Sequence, residues 1–310
     1  MKKHTKKLLH IILILVLILN LCACDGLSEL VSGYMGGAEP FVSDGTLTVR
    51  YLYVGQADCT LITLPDGKTL LIDGGNDGDG KGIAKYIKGL GIEKLDFVVG
   101  THPHEDHIGG LDKIINEIPC GKIYAPDVPK SAQPDTANYK DFVKAAMNQE
   151  CRITNIEKGE SIYESGDIRI DCFSPDSADI YSDLNNYSIV LKITYGNTSF
   201  LMMGDAEHEI ETLLEKSGAD ISADVIKAGH HGSATSSRKS FVKKVAPDYA
   251  IISCGIDNTY DFPKKKTMEV FESLGIETFV LSETGTVFAI SDGNTVTMQE
   301  HKEINLDSAR

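Results

Sequence analysis

The chain has 310 residues, 42% of them hydrophobic, and 45 acidic against 30 basic side chains give it a formal charge of -15 at pH 7. That length and apolar content can bury a substantial core and suit one catalytic domain. The acidity argues against a protein that grips nucleic acid through a broad basic surface, so no stable nucleic-acid complex is expected, and no fixed-period repeat points to a solenoid.

The first residues differ from the rest. Lys2, Lys3, Lys6 and Lys7 precede an almost wholly apolar run over 8–21, the charged and hydrophobic regions of an export signal, short for a stable membrane span. The run ends in Leu21-Cys22-Ala23-Cys24, which resembles a bacterial lipobox and makes Cys24 the expected lipidation site. An uncleaved N-terminal anchor is the other reading, and both place the remainder outside the cytoplasm on a membrane. Removal of 1–23 takes away four lysines and no acid, moving the formal charge from -15 to about -19. The segment 25–45 then serves as a linker. Cys59, Cys120, Cys151, Cys172 and Cys254 remain, an odd number without a CxxC pair, so small buried thiols are expected rather than a disulfide framework.

From residue 47 the pattern is α/β. Strands are expected over 47–54, 59–64 and 69–72, the last two joined by the turn Pro65-Asp66-Gly67-Lys68 and followed by Asp73-Gly74-Gly75. A helix over 83–90 leads to a buried strand over 95–99 and then to Gly100-Thr101; a second helix occupies 109–118, with Leu111, Ile114, Ile115 and Ile118 on one face. Further strands are expected over 168–173, 188–194, 198–203, 223–228, 249–253, 278–281 and 285–291, with helices over 207–216, near Phe241 and over 264–274. Hairpins and helices in two halves suggest two sheets packed face to face with helices outside.

The chemistry concentrates in His102-Pro103-His104-Glu105-Asp106-His107-Ile108-Gly109-Gly110. Three imidazoles and a carboxylate within six residues, at the end of an apolar strand, are donors that zinc and related divalent metals prefer. In an extended loop His102 and His104 point to the same side. Asp106 and His107 then turn toward a neighbouring position, so the spacing suits two metals. Asp205 and the pair His230-His231 also stand at strand ends, where loop-borne sites form. Glu105 lies inside the cluster and is expected to face solvent. Gly75 to Gly82 nearly spells a phosphate-binding loop, but Gly82 replaces the final hydroxyl residue and Asp77 and Asp79 would repel phosphate.

The H-x-H-x-D-H cluster, Asp73-Gly74-Gly75, Gly204-Asp205 and Gly229-His230 together resemble the successive motifs of the metallo-β-lactamase superfamily over nearly all of 47–298. The resemblance implies an α/β, four-layer αββα sandwich, with the hydrolase domain over 46–300 between a lipoprotein-type signal at 1–24 and a tail at 301–310. Val54-Gly55-Gln56-Ala57-Asp58, Asn185-Asn186-Tyr187-Ser188-Ile189-Val190-Leu191 and the KAGHHGS run over 227–233 are similar to the ComEC competence branch. Ala57 departs from that branch's usual Gly, and Phe262-Pro263 stands where it often has His-Pro.

The resemblance implies His102 and His104 in a first metal site, Asp106 and His107 in a second with one of His230 or His231, and Asp205 as a bridge. Asp73 is implied behind the ligands, and Asp106, His231 and Asn186 as catalytic. The branch lacks the usual third histidine of the first site, and Asn185, Asn186 and Ser188 stand there, so that site should be weaker. Two divalent ions are expected, zinc by the imidazoles, with manganese also suited by the oxygen donors. The implied substrate is a phosphoester, DNA among the possibilities.

Overall fold

The structure, a computed structural model, describes residues 45–149 and 152–308. The export signal over 1–24, Cys24, nearly all of the linker and Cys151 lie outside the described residues. In chain order the strands are β1 (Leu47–Tyr51), β2 (Thr60–Thr63), β3 (Thr69–Ile72), β4 (Leu95–Val99), β5 (Cys120–Ala125), β6 (Ile153–Asn155), β7 (Ser161–Ser165) and β8 (Ile168–Ser174). They continue as β9 (Val190–Tyr195), β10 (Thr198–Met202), β11 (Val225–Lys227), β12 (Tyr249–Ile252), β13 (Glu277–Val280), β14 (Thr286–Ser291) and β15 (Val296–His301).

These form two mixed sheets, one ordered β15-β14-β1-β2-β3-β4-β5-β6 and the other β13-β12-β11-β10-β9-β8-β7. Alternate side chains of both sheets meet in a common core that includes Val49, Ile62, Leu70, Ile170, Leu191, Phe200, Val225 and Ile251. The period-two burial of β8, whose Ile168, Ile170 and Cys172 are buried between more exposed neighbours, is the sequence alternation made physical. Phe200 is wholly buried there, and its truncation to Ala would cost about 3–5 kcal/mol.

Helices cover the outer sides. Helices Lys239–Val245 and Lys265–Ser273 bury Phe241, Val245 and Phe271 against the second sheet's Ile226, Ala250 and Ile252. On the other side, helices Gly80–Gly89, Leu111–Glu117 and Ala137–Asn148 bury Ile83, Ile87, Leu111, Ile114 and Phe142. The expected αββα sandwich is what the chain builds.

The β2–β3 hairpin turns where expected, with Asp66 Oδ1 accepting from Lys68 N and Gly67 at φ 86°. Beyond it β3 and β4 run parallel, as do β10, β11 and β12, so the chain leaves several strands at the same edge. Asp73, Thr101, Asp205, His230 and Ser253 all stand within three residues of such strand ends.

Elements over 119–165 were not read from the sequence. β6 is three residues long, β7 is mostly exposed, and helix Ala137–Asn148 buries only Phe142, Ala145 and Ala146, so each carries too few apolar positions to declare a period. Residues 301–308, expected as a tail, fold back onto the sheet: Ile304 is buried, Leu306 N donates to the Tyr53 carbonyl, and Ser308 donates to Asp79. Asp79 also accepts from Asn76 N, so the glycine-rich loop is tied off by its own carboxylate. Cys59, Cys172 and Cys254 are free and buried, and the half-buried Cys120 donates its Sγ–H to the Ile118 carbonyl.

Candidate metal centre

The cluster loop is shaped by what it packs on. Gly74 N donates to the His107 carbonyl and Gly110 N to the Gly75 carbonyl, lacing the Asp73-Gly74-Gly75 turn to the His102–Gly110 segment. A Cβ on Gly110 would strike the Gly74 carbonyl, which is why glycine stands there. Asp73, His230 and His231 adopt left-handed backbone, at φ 60°, 48° and 53°. Such conformations are costly for non-glycine residues and persist where surrounding contacts hold them.

Asp73 packs behind His107 and Thr101. Its Oδ1 accepts from Thr101 N and its Oδ2 from Thr101 Oγ1, both at 2.8 Å, and Oδ2 also faces His107 Nδ1 at 2.8 Å. A carboxylate on Nδ1 fixes the tautomer and turns the Nε2 lone pair forward. His107 Nε2 then lies 3.3 Å from Asp205 Oδ1 and 4.0 Å from Asp106 Oδ1.

Asp205 stands at the centre, with Oδ1 toward His107 and Oδ2 3.5 Å from His231 Nε2 and 3.9 Å from both His102 Nε2 and His230 Nε2. Ser188 Oγ accepts from its backbone N. The two Asp205 oxygens are thus turned to different imidazoles. His102, His107 and Asp205 offer one group of donor atoms mutually within 4.8 Å, and Asp106, His107 and His231 offer another.

The adjacent histidines separate. His231 is buried, its Nδ1 donates to the Ser253 carbonyl at 2.9 Å, and its Nε2 lies 3.2 Å from Asp106 Oδ2. It joins the second group. His230 is partly exposed and its Nδ1 is held by Glu207 Oε1 at 3.0 Å and by Thr235, leaving Nε2 on the side of His102 and Asp205. His104 places Nδ1 2.9 Å from His102 Nε2. Glu105 is exposed, as expected.

Asn186, implied as catalytic, sits at the start of helix His208–Lys216. Its Nδ2 donates to Glu209 Oε2 and its Oδ1 accepts from Glu207 N, so both ends of the amide are engaged in holding the start of helix His208–Lys216. Asn185 is the one that approaches the centre, with Nδ2 3.4 Å from His230 Nδ1.

The donor set fits a divalent metal. His107 Nε2, His231 Nε2 and Asp205 Oδ1 are buried and make no hydrogen bond, although such atoms are ordinarily satisfied. Burial, with His107 beside it, holds His102 well below the usual imidazole pKa, so its lone pair is available. Burial would also depress His107 and His231, but the surrounding carboxylates, Asp205 foremost, outweigh it and hold both well above the usual value. Asp205 is correspondingly held well below the carboxylate range despite its burial. Cations bound there would take over the role those protons play.

Sequence reasoning quoted Asp58 and Lys227 within motifs but gave neither a role. Both are buried, and they form an ion pair beneath the histidines. Asp58 Oδ1 lies 3.4 Å from His231 Nδ1 and Oδ2 3.7 Å from His107 Nδ1. The available signal was an acid and a lysine set in otherwise apolar strand ends.

Two facing sheets with His and Asp donors gathered at one strand edge define the class of metal-dependent hydrolase folds. The chain belongs to the metallo-beta-lactamase superfamily, whose family model matches residues 52–256. Among curated proteins it is similar to ComE operon protein 3 of Bacillus subtilis (strain 168), 30% identical over 207 residues, covering 67% of this chain and 26% of that protein. Recombination protein 2 of Haemophilus influenzae is 31% identical over 233 residues, covering 74% and 27%. The chain thus spans about a quarter of the length of these relatives. Among solved structures, the metallo-beta-lactamase fold protein YhfI from Bacillus subtilis superposes with a TM-score of 0.52 at 15% identity, covering 83% of this chain and all of that one, a likeness of fold.

Proposed function

We propose that the protein is a membrane-anchored hydrolase using two divalent metals, zinc by its imidazole donors, to cleave phosphodiesters. The observation that carries the two-metal reading is the pair of neighbouring donor groups, His102, His107 and Asp205 in one and Asp106, His107 and His231 in the other. When bound, such a metal pair supplies Lewis acidity toward a phosphoryl oxygen and lowers the pKa of a water. The chain's own groups set the stage: His102 and His104 present nitrogens to the first site, Asp106, His107 and His231 to the second, and Asp73 fixes the His107 ring.

Preference for a phosphodiester rests on the likeness to competence and recombination proteins and on the wall beside the site. Phe262 packs on both histidines, with centroids 5.6 Å from His230 and 6.5 Å from His231, and Tyr260 stacks on Phe262 at 5.4 Å. Lys264 Nζ lies 5.7 Å from the Phe262 centroid. Aromatic rings and a cation suit an ester carrying a planar group. The formal charge of -15 gives little guidance to a long polyanion, which favours short or single-stranded substrates over duplex DNA, and leaves a small or cell-envelope phosphoester such as choline phosphate as the second reading. A metal-binding lipoprotein without catalysis is the third.

The test is metal analysis joined to an ester panel of phosphodiesters, phosphomonoesters, single-stranded and duplex DNA, and β-lactams. Metal-dependent turnover of diesters is expected; efficient lactam or carboxylic-ester hydrolysis with no phosphoester cleaved would sink the assignment, and two bound metals without any turnover would favour the binding role. Anchoring is tested by Cys24→Ser, which should release or misprocess a protein that otherwise partitions into detergent. Equal retention and processing would point to an uncleaved anchor.

A further inference from the structure

We propose that Lys227 and Asp58 act together as a positioning device for the second metal site, the ion pair with the lysine keeping Asp58 behind the histidines instead of among the metal ligands. The inference rests on the metal-site reading and is independent of which ester is cleaved.

Three observations converge. By distance alone Asp58 qualifies as a ligand, because it falls within 4.8 Å of Asp205 and His231 donors in one group and of Asp73 and His107 donors in another. Yet it approaches both rings at Nδ1, 3.4 Å from His231 and 3.7 Å from His107, whereas Asp205 and Asp106 meet the same rings at Nε2. Asp58 thus faces the Nδ1 edges of the imidazoles and not the Nε2 atoms that Asp205 and Asp106 meet. Its Oδ2 is taken by the Lys227 ammonium, and the two side chains are 2% and 4% exposed.

The backbone gives this pair its leverage. Asp58 N donates to the Asp106 carbonyl and Gly75 N donates to the Asp58 carbonyl, so Asp58 is laced to the loop that carries Asp106 and His107 and to the Asp73-Gly74-Gly75 turn. Lys227 ends β11 just before the left-handed His230-His231 turn. The ion pair therefore pins the strained turn that carries His231 to the loop that carries Asp106 and His107. A buried carboxylate left without its cation is strongly unfavourable, so neither partner works alone. Groups that orient metal-binding histidines from behind typically alter metal affinity about 10- to 100-fold when removed.

The experiment titrates metal-depleted full-length protein with cobalt(II), following its visible absorption and counting bound ions by native mass spectrometry, for wild type, Asp58→Asn, Lys227→Met and the double variant. Each single variant should weaken one of the two sites about 10- to 100-fold and shift its absorption, with the double variant no worse than the weaker single. Tighter binding by Lys227→Met would overturn the proposal, because it would mean that Asp58, once freed, is itself a ligand. Unchanged affinity and spectrum with only a lower melting temperature of the metal-free protein would also overturn it, as the mark of a purely structural ion pair. Should Lys227→Met fail to fold, the isosteric Asp58→Asn decides alone, by weakened or unchanged cobalt binding.

Discussion

His231 directs Nε2 at Asp106 Oδ2 across 3.2 Å, while its Nδ1 donates to the Ser253 carbonyl at 2.9 Å. The neighbouring His230 instead gives Nδ1 to Glu207 at 3.0 Å. Two adjacent imidazoles are therefore committed to different tasks by their rear hydrogen bonds. We predict that His231→Ala loses one metal and most turnover, about 100-fold or more, whereas His230→Ala retains the ion shared by Asp106 and His107. Metal counting on both variants checks this; loss of that ion from His230→Ala and not from His231→Ala would reverse the assignment.

Asp106 and Glu105 are adjacent acids with opposite surroundings. Asp106 is half-buried against His107 and His231, which draw its pKa far down against the cost of burial, while Glu105 is exposed. Asp106→Ala should lower kcat by several orders of magnitude with the fold intact by circular dichroism, and Glu105→Ala should change it less than about threefold. Wild-type turnover in Asp106→Ala would refute the second metal site.

Metal uptake should release protons. The folded metal-free protein holds His107 and His231 well above the usual imidazole value, burial being outweighed by Asp205 and its fellow carboxylates, so protons compete with a cation for both rings. The sign follows: metal affinity rises with pH until it passes those elevated values. In the metal-free protein the same pairs contribute stability that is full below an unfolded-state value of about 6.5 and lost as pH climbs through the folded-state values. Calorimetry of zinc binding in buffers of different ionisation enthalpy reads the protons released. A pH-independent affinity with none released would contradict the assignment.

Much of this was legible in the sequence because the donors are crowded into short motifs at the ends of apolar strands: His102 to His107 and Gly204-Asp205 announce themselves by composition. What separates His230 from His231 was not, since it depends on Glu207 and on the Ser253 carbonyl, one brought by the start of helix His208–Lys216 and the other by the end of β12. That Asn185 turns toward His230 and Asn186 toward Glu209 is likewise a tertiary matter. Asp58 and Lys227 are 169 positions apart in numbering and meet only because the two sheets face each other. Local pattern carries the strand-end placement of ligands; the orienting shell is tertiary and carries no local period.

The ring stack beside the centre should set substrate preference. Tyr260 is 59% exposed, lies 17° from parallel to Phe262, and Phe262 in turn packs on His231 at 24°, so a continuous aromatic face leads from solvent to His231. Stacking of one base on such a ring is worth about 1–3 kcal/mol, or about 5- to 150-fold in KM. We predict that Tyr260→Ala raises KM within that range for the p-nitrophenyl ester of thymidine monophosphate and leaves methyl p-nitrophenyl phosphate unchanged, because the latter has no second planar group to stack. Tyr260→Phe keeps the ring and should behave as wild type toward both. Equal losses on the two esters would mean that the residue supports the loop instead of the substrate, and no loss on either would remove the aromatic face from substrate recognition.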